Sequence, residues 1–67
     1  MINTKKIKKR MSEKGLSQRE IAKALDVAVP TVSQKLNNVR PLHLREAKIL
    51  SDLLDIQDGE FGSYFFD

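Results

Sequence analysis

Hydrophobic residues recur every three or four positions along most of this sequence, with polar residues between them. This is the period of an amphipathic helix, whereas a half-buried strand would alternate at every second residue. The pattern therefore predicts a compact all-α domain of four to five helices without strands. The pairs spaced by four positions are Ile7 and Met11, Ile21 and Leu25, and Val32 and Leu36.

Residues at the helix ends mark the first two helices. Asn3 or Thr4 can cap a first helix that stops at Gly15, because asparagine and threonine favour the N-cap and glycine favours the C-terminal end. Ser17 and Glu20 have the spacing of a capping box, in which each side chain accepts the other residue's free backbone N–H. The second helix is therefore predicted to start at this pair.

A turn of three residues, 26–28, separates the second helix from a third. Asp26 is predicted to adopt the left-handed conformation, a role that glycine fills more easily. Pro30 is tolerated in the first turn of the third helix, where its missing N–H is not needed. Because proline disfavours helical geometry at the residue before it, Val29 is predicted to be the N-cap.

Asparagine and proline within residues 37–41 predict a loop after the third helix. A fourth helix and a short final helix follow. The predicted ranges are 4–14 for the first helix, 44–54 for the fourth and 58–61 for the last. The residues expected to point inward from the third and fourth helices are Val32, Leu36, Val39, Ala47, Leu50, Leu53 and Leu54.

The outward side of the third helix carries short uncharged polar groups, where an ordinary solvated helix would carry Glu and Lys. Two short helices joined by a short turn describe a helix-turn-helix, whose second helix can lie in a DNA major groove. Amide side chains match two groups on a base edge, and a thymine methyl accepts apolar contacts. Simple solvation of a surface helix is the alternative interpretation. The predicted reading face consists of Val29, Pro30, Thr31, Ser33, Gln34 and Asn37.

Residues 15–56 resemble the Cro/C1-type helix-turn-helix domains of phage repressors and bacterial regulators, which are also called lambda-repressor-like or XRE-type domains. The segments LSQREIAKALDVAVPTVSQKLNN and LREAKILSDLLDI carry the resemblance. It implies that Gln18 touches a phosphate and braces the reading helix, and that Arg40 lies in a loop that often touches the DNA backbone. The other positions that match contact residues of the family are Val29, Pro30, Ser33 and Gln34, with Asn37 near the next phosphate.

The sequence departs from the family pattern in the turn and in the core. Asp26 stands where the family usually has glycine, and Ala28 stands where it often has serine or threonine. Some phage members join the first helix to the end of the third by an Arg–Glu pair, and the matching positions here are Met11 and Leu36. Because packed hydrophobic residues can replace a buried ion pair at little cost, a direct apolar contact between these two side chains is predicted.

Length and charge distribution constrain the class of protein. The 67 residues suffice for one small domain, which we take as residues 1–67. Residues 1–14 carry six basic side chains and one acid, whereas residues 51–67 carry five acids and no base. This polarity suits a polyanion such as nucleic acid. A charged surface that only keeps the protein soluble is the alternative.

Several kinds of chemistry are not expected from this composition. The sequence has no cysteine and one histidine, His43, so we expect no metal site and no cofactor. The acids of residues 52–60 are interpreted as solvated side chains, and enzyme activity is not expected. The sequence has no apolar run of the roughly 20 residues that cross a bilayer, and residues 1–20 lack the apolar centre of a signal peptide. A cytoplasmic protein is therefore expected.

Basic side chains outside the reading face can add affinity for DNA without adding sequence information, because they contact phosphates. We expect Arg19 and Lys35 to contribute charge in this way. Of the basic first helix, we expect only the edge near Arg10 to approach DNA. For the lysines of that helix, solubility alone is the alternative role.

All four aromatic residues lie within the last seven positions of the chain. A core of this size cannot readily hide four rings at one end. Phe61 is expected to cap the core, and some of the other rings are expected to form a two-fold homodimer contact. A frayed tail, or a wrap over the protein's own core, is the alternative. These other rings are Tyr64, Phe65 and Phe66.

The sequence therefore predicts a sequence-specific transcription regulator that binds double-stranded DNA. It is predicted to be a Cro-like or phage-type repressor that binds a near-palindromic operator as a dimer. Two copies would place their reading helices in successive major grooves about 34 Å apart. The chain has no room for a ligand-sensing domain, which favours a Cro-like protein or an excised DNA-binding domain. The alternative is a protein-interaction module, such as an antitoxin that uses its acidic aromatic C-terminus on a partner protein. Nonspecific nucleic-acid or RNA binding is a weaker third hypothesis, and the absence of aromatic rings on the basic side argues against single-strand stacking.

Overall fold

The computed structural model of the chain describes residues 1–66, which contain helices and no strands. The all-α fold with five helices is confirmed. A 3₁₀ turn at Asp58–Glu60 leads directly into the last helix, which extends further than the predicted 58–61. The helices are α1 (Thr4–Lys14), α2 (Gln18–Leu25), α3 (Val29–Leu36), α4 (Leu44–Leu53) and α5 (Phe61–Phe65).

Local capping interactions define α1 and α2 as predicted. The Asn3 side chain accepts the backbone N–H of Lys6 at 3.1 Å, so Asn3 is the cap. Gly15 ends α1 in the left-handed conformation, with φ 65°. At the start of α2, the Ser17 N–H donates to the Glu20 carboxylate and the Glu20 N–H donates to the Ser17 hydroxyl, both at 3.1 Å. These hydrogen bonds satisfy backbone groups that a helix end leaves free.

The turn between α2 and α3 depends on one left-handed residue. Asp26 has φ 58° and ψ 48°, as predicted. Its N–H donates to the Lys23 carbonyl at 3.3 Å, and the Val27 N–H donates to the Ala22 carbonyl at 3.0 Å. This is the hydrogen-bond pattern with which a helix usually ends at glycine.

Replacing Asp26 by glycine is expected to raise the free energy of unfolding by about 0.5–1 kcal/mol, because glycine enters the left-handed region without a steric penalty. The control is Ala24→Gly, two positions earlier and inside α2. There the same new residue is expected to lower stability by about 1 kcal/mol. Chemical denaturation of the two variants and the parent checks both signs. Destabilisation by Asp26→Gly would contradict the assignment.

The predicted N-cap of α3 was wrong by one residue. Ala28 is the N-cap, with φ −71° and ψ 151°, and Val29 already belongs to the helix. The Ala28 carbonyl accepts the N–H groups of Thr31 at 3.0 Å and Val32 at 3.2 Å. Proline disfavours helical geometry at the preceding residue but does not forbid it. In this structure Val29 adopts the helical conformation, and the helix begins with the two hydrogen bonds that the Ala28 carbonyl accepts.

The prediction that Val39 points inward was also wrong. Val39 is 71% exposed, whereas Val32 and Leu36 are each 1% exposed. The helix ends at Leu36, and Asn38 then takes a positive φ of 60°. The chain thus leaves the helical path before Val39, so helical spacing no longer decides which way that side chain points.

The core receives side chains from all five helices. Helix α2 packs against α3 and α4, while α1 packs against α5. Met11 and Leu36 are both buried in this core, and their direct contact stays a prediction. In α4, Leu53 is only half-buried, and Ile49 packs against the core instead. The fully buried large side chains are Ile7, Ile21, Val32, Leu36, Leu50 and Leu54.

The aromatic end folds back onto the protein's own core. Tyr64 is 8% exposed and Phe65 is 3% exposed, while Phe61 is half-buried and packs against the core. The Asn3 N–H donates to the Tyr64 carbonyl at 2.8 Å, which ties the two ends of the chain together. Tyr64 and Phe65 are therefore not free for the homodimer contact that the sequence suggested. Of the four rings, Phe66 is the exposed one, at 68%.

Candidate nucleic-acid interface

The predicted reading face lies on the outward side of α3. Val29, Pro30 and Asn37 are exposed, and the remaining three residues of the face are half-buried. Val32 and Leu36 occupy the opposite, buried side of the same helix. A helix that is apolar on one side and polar on the other can dock on its own core while its outer side enters a groove. The three half-buried residues are Thr31, Ser33 and Gln34.

The other two predicted contact residues, Gln18 and Arg40, lie at the start of α2 and in the loop just after α3. Gln18 is the half-buried first residue of α2. Arg40 is exposed in the loop that follows α3. Its backbone N–H donates to the Gln34 carbonyl at 3.2 Å, and the Val39 N–H donates to the same oxygen at 2.8 Å. The loop backbone at Arg40 is thus fixed directly to the reading helix.

Asn37 closes the last turn of α3. Its side-chain N–H donates to the Ser33 carbonyl at 2.8 Å. Its side-chain oxygen accepts a hydrogen bond of 3.0 Å from the Lys8 ammonium. The result is a positive charge from α1 beside the C-terminal end of the reading helix. A cation at this position is also favoured by the helix dipole.

Asn38 joins the N-terminal segment to the end of α3. Its side chain accepts the Ile2 N–H at 2.9 Å and donates to the Ile2 carbonyl at 3.0 Å. The Thr4 hydroxyl donates to the Leu36 carbonyl at 2.6 Å. Sequence reasoning did not find this junction. The tolerance of asparagine for positive φ, seen here at 60°, was the available signal.

Lys35 is buried in an ion pair, contrary to the sequence-based expectation that it offers its charge to a phosphate. Its side chain is 9% exposed and that of Glu46 is 6% exposed. The Lys35 ammonium donates to the Glu46 carboxylate at 2.8 Å and to the Pro41 carbonyl at 3.2 Å. A helical position three residues after Val32 lies only about 60° from the buried direction, which was the signal that sequence reasoning missed.

The ion pair governs the ionisation of Glu46. Burial by itself raises the pKa of this carboxyl, but the hydrogen bonds from Lys35 and from the His43 backbone lower it. The net result is a pKa below the ordinary value of 4.5. The His43 N–H donates to the same carboxylate oxygen at 3.0 Å. Glu46 is therefore ionised at neutral pH although it is buried.

Arg10 is also engaged within the protein, and the approach of its edge of α1 to DNA stays a prediction. Its guanidinium donates to the carbonyls of Leu54 at 2.8 Å and Asp55 at 3.3 Å. These carbonyls lie just after the last residue of α4, where a helix leaves acceptors free. The neighbouring Lys14 ammonium pairs with the Asp55 carboxylate and holds the pKa of that carboxyl below its usual range.

Other kinds of site are not found in the described residues. His43 is the exposed N-cap of α4, in line with the helix-terminal role expected for it. Within residues 1–66, no group of three or more His, Cys, Asp and Glu side chains could hold a metal ion. No helix in the same range is long and apolar enough to span a membrane.

The fold and the outward polar face of α3 define a small DNA-binding domain of the helix-turn-helix class. The family described as "Helix-turn-helix" matches residues 7–61. The chain belongs to this family, in its Cro/C1 or XRE type, and is a DNA-binding transcription regulator. The family consists of regulatory DNA-binding domains and is not an enzyme family. No curated protein and no solved structure gave a significant match to the chain.

Proposed function

We propose that residues 1–67 form a single Cro/C1-type domain that acts as a sequence-specific repressor of the phage Cro class. The observation that carries this proposal is the outward face of α3. It presents two apolar residues, Val29 and Pro30, at its N-terminal end, followed by hydroxyl and amide groups, and its opposite side is buried. Amides suit base edges in the major groove, and apolar groups suit the thymine methyl. Repression follows when the bound protein blocks polymerase.

The domain is proposed to bind a near-palindromic operator as a homodimer. A single reading helix covers only one half-site, and a two-fold pair covers two half-sites about 34 Å apart. Tyr64 and Phe65 belong to the core of each copy. Phe66, at 68% exposure, is the aromatic ring that remains for a contact between copies.

The experiment is selection from a pool of random DNA duplexes at near-physiological salt, followed by sequencing of the retained DNA. Two inverted half-sites spaced by about one helical turn are expected. Retention without a preferred sequence, or no retention, would contradict the proposal. It would then favour the second candidate, an interaction module that binds a partner protein near Phe66, whose exposed ring follows an acidic segment.

Replacing Gln34 by alanine is expected to relax one base position of the selected site and to weaken binding by about 1–3 kcal/mol. The physical reason is that alanine cannot replace an amide that donates and accepts at one base edge. The matched control is Gln57→Ala, the same change at an exposed residue outside α2 and α3. Selection and binding titration of both variants check the result. Equal effects of the two changes would contradict the assignment.

A further inference from the structure

The buried pair of Lys35 and Glu46 requires an explanation beyond packing. Removing two charges from water is costly, and well-packed hydrophobic residues can often replace such a pair without loss of stability. The two side chains are nevertheless 9% and 6% exposed. Lys35 follows Gln34 directly in the reading helix, and Glu46 lies in the first turn of α4. The pair therefore spans the loop of residues 37–43.

The hydrogen bonds of the pair constrain the backbone of this loop. Lys35 binds the Pro41 carbonyl at 3.2 Å, and Glu46 binds the His43 N–H at 3.0 Å, while the two side chains bind each other at 2.8 Å. In the same loop, the Arg40 N–H donates to the Gln34 carbonyl. Arg40 is thus held through its own N–H and through the carbonyl of the next residue. Its side chain remains exposed.

We propose that Lys35 and Glu46 are positioning residues for DNA binding, which act through Arg40. They fix the Arg40 backbone against the reading helix, so that its guanidinium meets a DNA phosphate when Gln34 meets a base edge. Phosphate contacts set the register of a protein on the duplex. A preorganised loop avoids the ordering cost of binding. This inference rests on the proposed function, because it needs DNA as the ligand and Arg40 as a backbone contact.

The experiment distinguishes an effect of the pair on the position of Arg40 from an effect on the stability of the fold. The double variant Lys35→Met/Glu46→Leu replaces the pair by apolar side chains and is expected to keep the fold. The probe is the duplex that the parent selects from the random pool. Affinity and its salt dependence are measured for four proteins: the parent, Arg40→Ala, the double variant, and the triple variant that adds Arg40→Ala to the double variant. If the double variant fails to fold, Glu46→Asp takes its place, since it keeps both charges but shortens the carboxylate arm.

In the parent, Arg40→Ala is expected to weaken binding about 10-fold and to reduce the salt slope by about 1 for each bound protomer. The double variant is expected to show a similar loss of affinity and slope, although Lys35 and Glu46 do not face DNA. Arg40→Ala should then cost less than about twofold in the double variant, because coupled residues are not additive. Arg19→Ala, at an exposed residue of α2 outside the loop, should have the same effect in both backgrounds.

Two results would overturn the inference. One is additive loss, in which Arg40→Ala costs the same factor with and without the pair. The other is a folded double variant, or Glu46→Asp variant, with the affinity and salt slope of the parent. In both cases the parent still selects a specific duplex, so the proposed function survives. A parent that selects no duplex would instead overturn the proposed function and this inference with it.

Discussion

Replacing Phe65 by alanine is expected to lower the free energy of unfolding by about 3–5 kcal/mol. The ring is 3% exposed, and its centroid lies 4.7 Å from that of Phe61 and 6.4 Å from that of Tyr64. Truncation therefore removes buried apolar area and leaves a cavity. For a domain of this size, each kcal/mol shifts the melting temperature by roughly 4–8 °C. Thermal unfolding followed by circular dichroism should show a fall of more than about 10 °C.

The control for this prediction is Phe66→Ala, at the next residue. Phe66 is 68% exposed, so its truncation should change stability by no more than about 0.5 kcal/mol. Comparable melting temperatures for the two variants would contradict the placement of Phe65 in the core. The pair of variants also separates two roles of the aromatic end, because a contact between copies would be sensitive to Phe66→Ala without a change in folding.

Replacing Lys35 alone by methionine is expected to cost about 3–5 kcal/mol at neutral pH. The aliphatic stem is kept, but the Glu46 carboxylate, 6% exposed, loses its ammonium partner. A buried charge without a partner destabilises the folded state. The double variant Lys35→Met/Glu46→Leu should recover most of this loss, since it removes both charges. Urea denaturation at pH 7 compares the three proteins. A single variant as stable as the parent would show that the pair is unimportant for folding.

The pH dependence of stability gives a second check on the pair. In the parent, the pKa of Glu46 lies below its ordinary value of 4.5. The pair therefore stabilises the fold above that pH, and this contribution is lost as the pH falls from 4.5 through the lowered pKa. In Lys35→Met, burial remains without the ammonium, so the pKa of Glu46 should rise and acidification should recover stability.

Urea denaturation at pH 3, 5 and 7 would measure the pH-dependent contribution of Glu46 to the free energy of unfolding. The quantity compared is the difference in stability between the parent and each variant, because the contributions of other carboxyls, such as Asp55, largely cancel in that difference. The advantage of the parent over Lys35→Met should shrink toward low pH. A difference that is constant across this range would contradict the role of Glu46.

The elements that sequence reasoning located are those that depend on neighbouring residues. The capping box of Ser17 and Glu20, the left-handed Asp26 and the end of α1 at Gly15 all depend on hydrogen bonds within a few positions. The burial of Val32 and the exposure of Pro30 follow from one helical period. Such local rules need no knowledge of how the helices pack.

Where the expectations for charged and aromatic side chains failed, a distant contact decided the outcome. Lys35 finds its carboxylate 11 positions away, across a loop whose path no local pattern specifies. Phe65 is buried because α5 returns to α1. A basic or aromatic side chain has the same chemistry in either role, so composition alone could not separate them.

The sequence by itself determined the first four helices, the turn between α2 and α3, and the polar outward face of α3, because periodicity and capping are encoded within one or two turns of chain. Only the tertiary structure decided which charges remain for a ligand. It buried Lys35 against Glu46, used Arg10 to close α4 and left Arg40 exposed. The physical reason is that a charged side chain takes whichever partner the packed helices bring within hydrogen-bond reach.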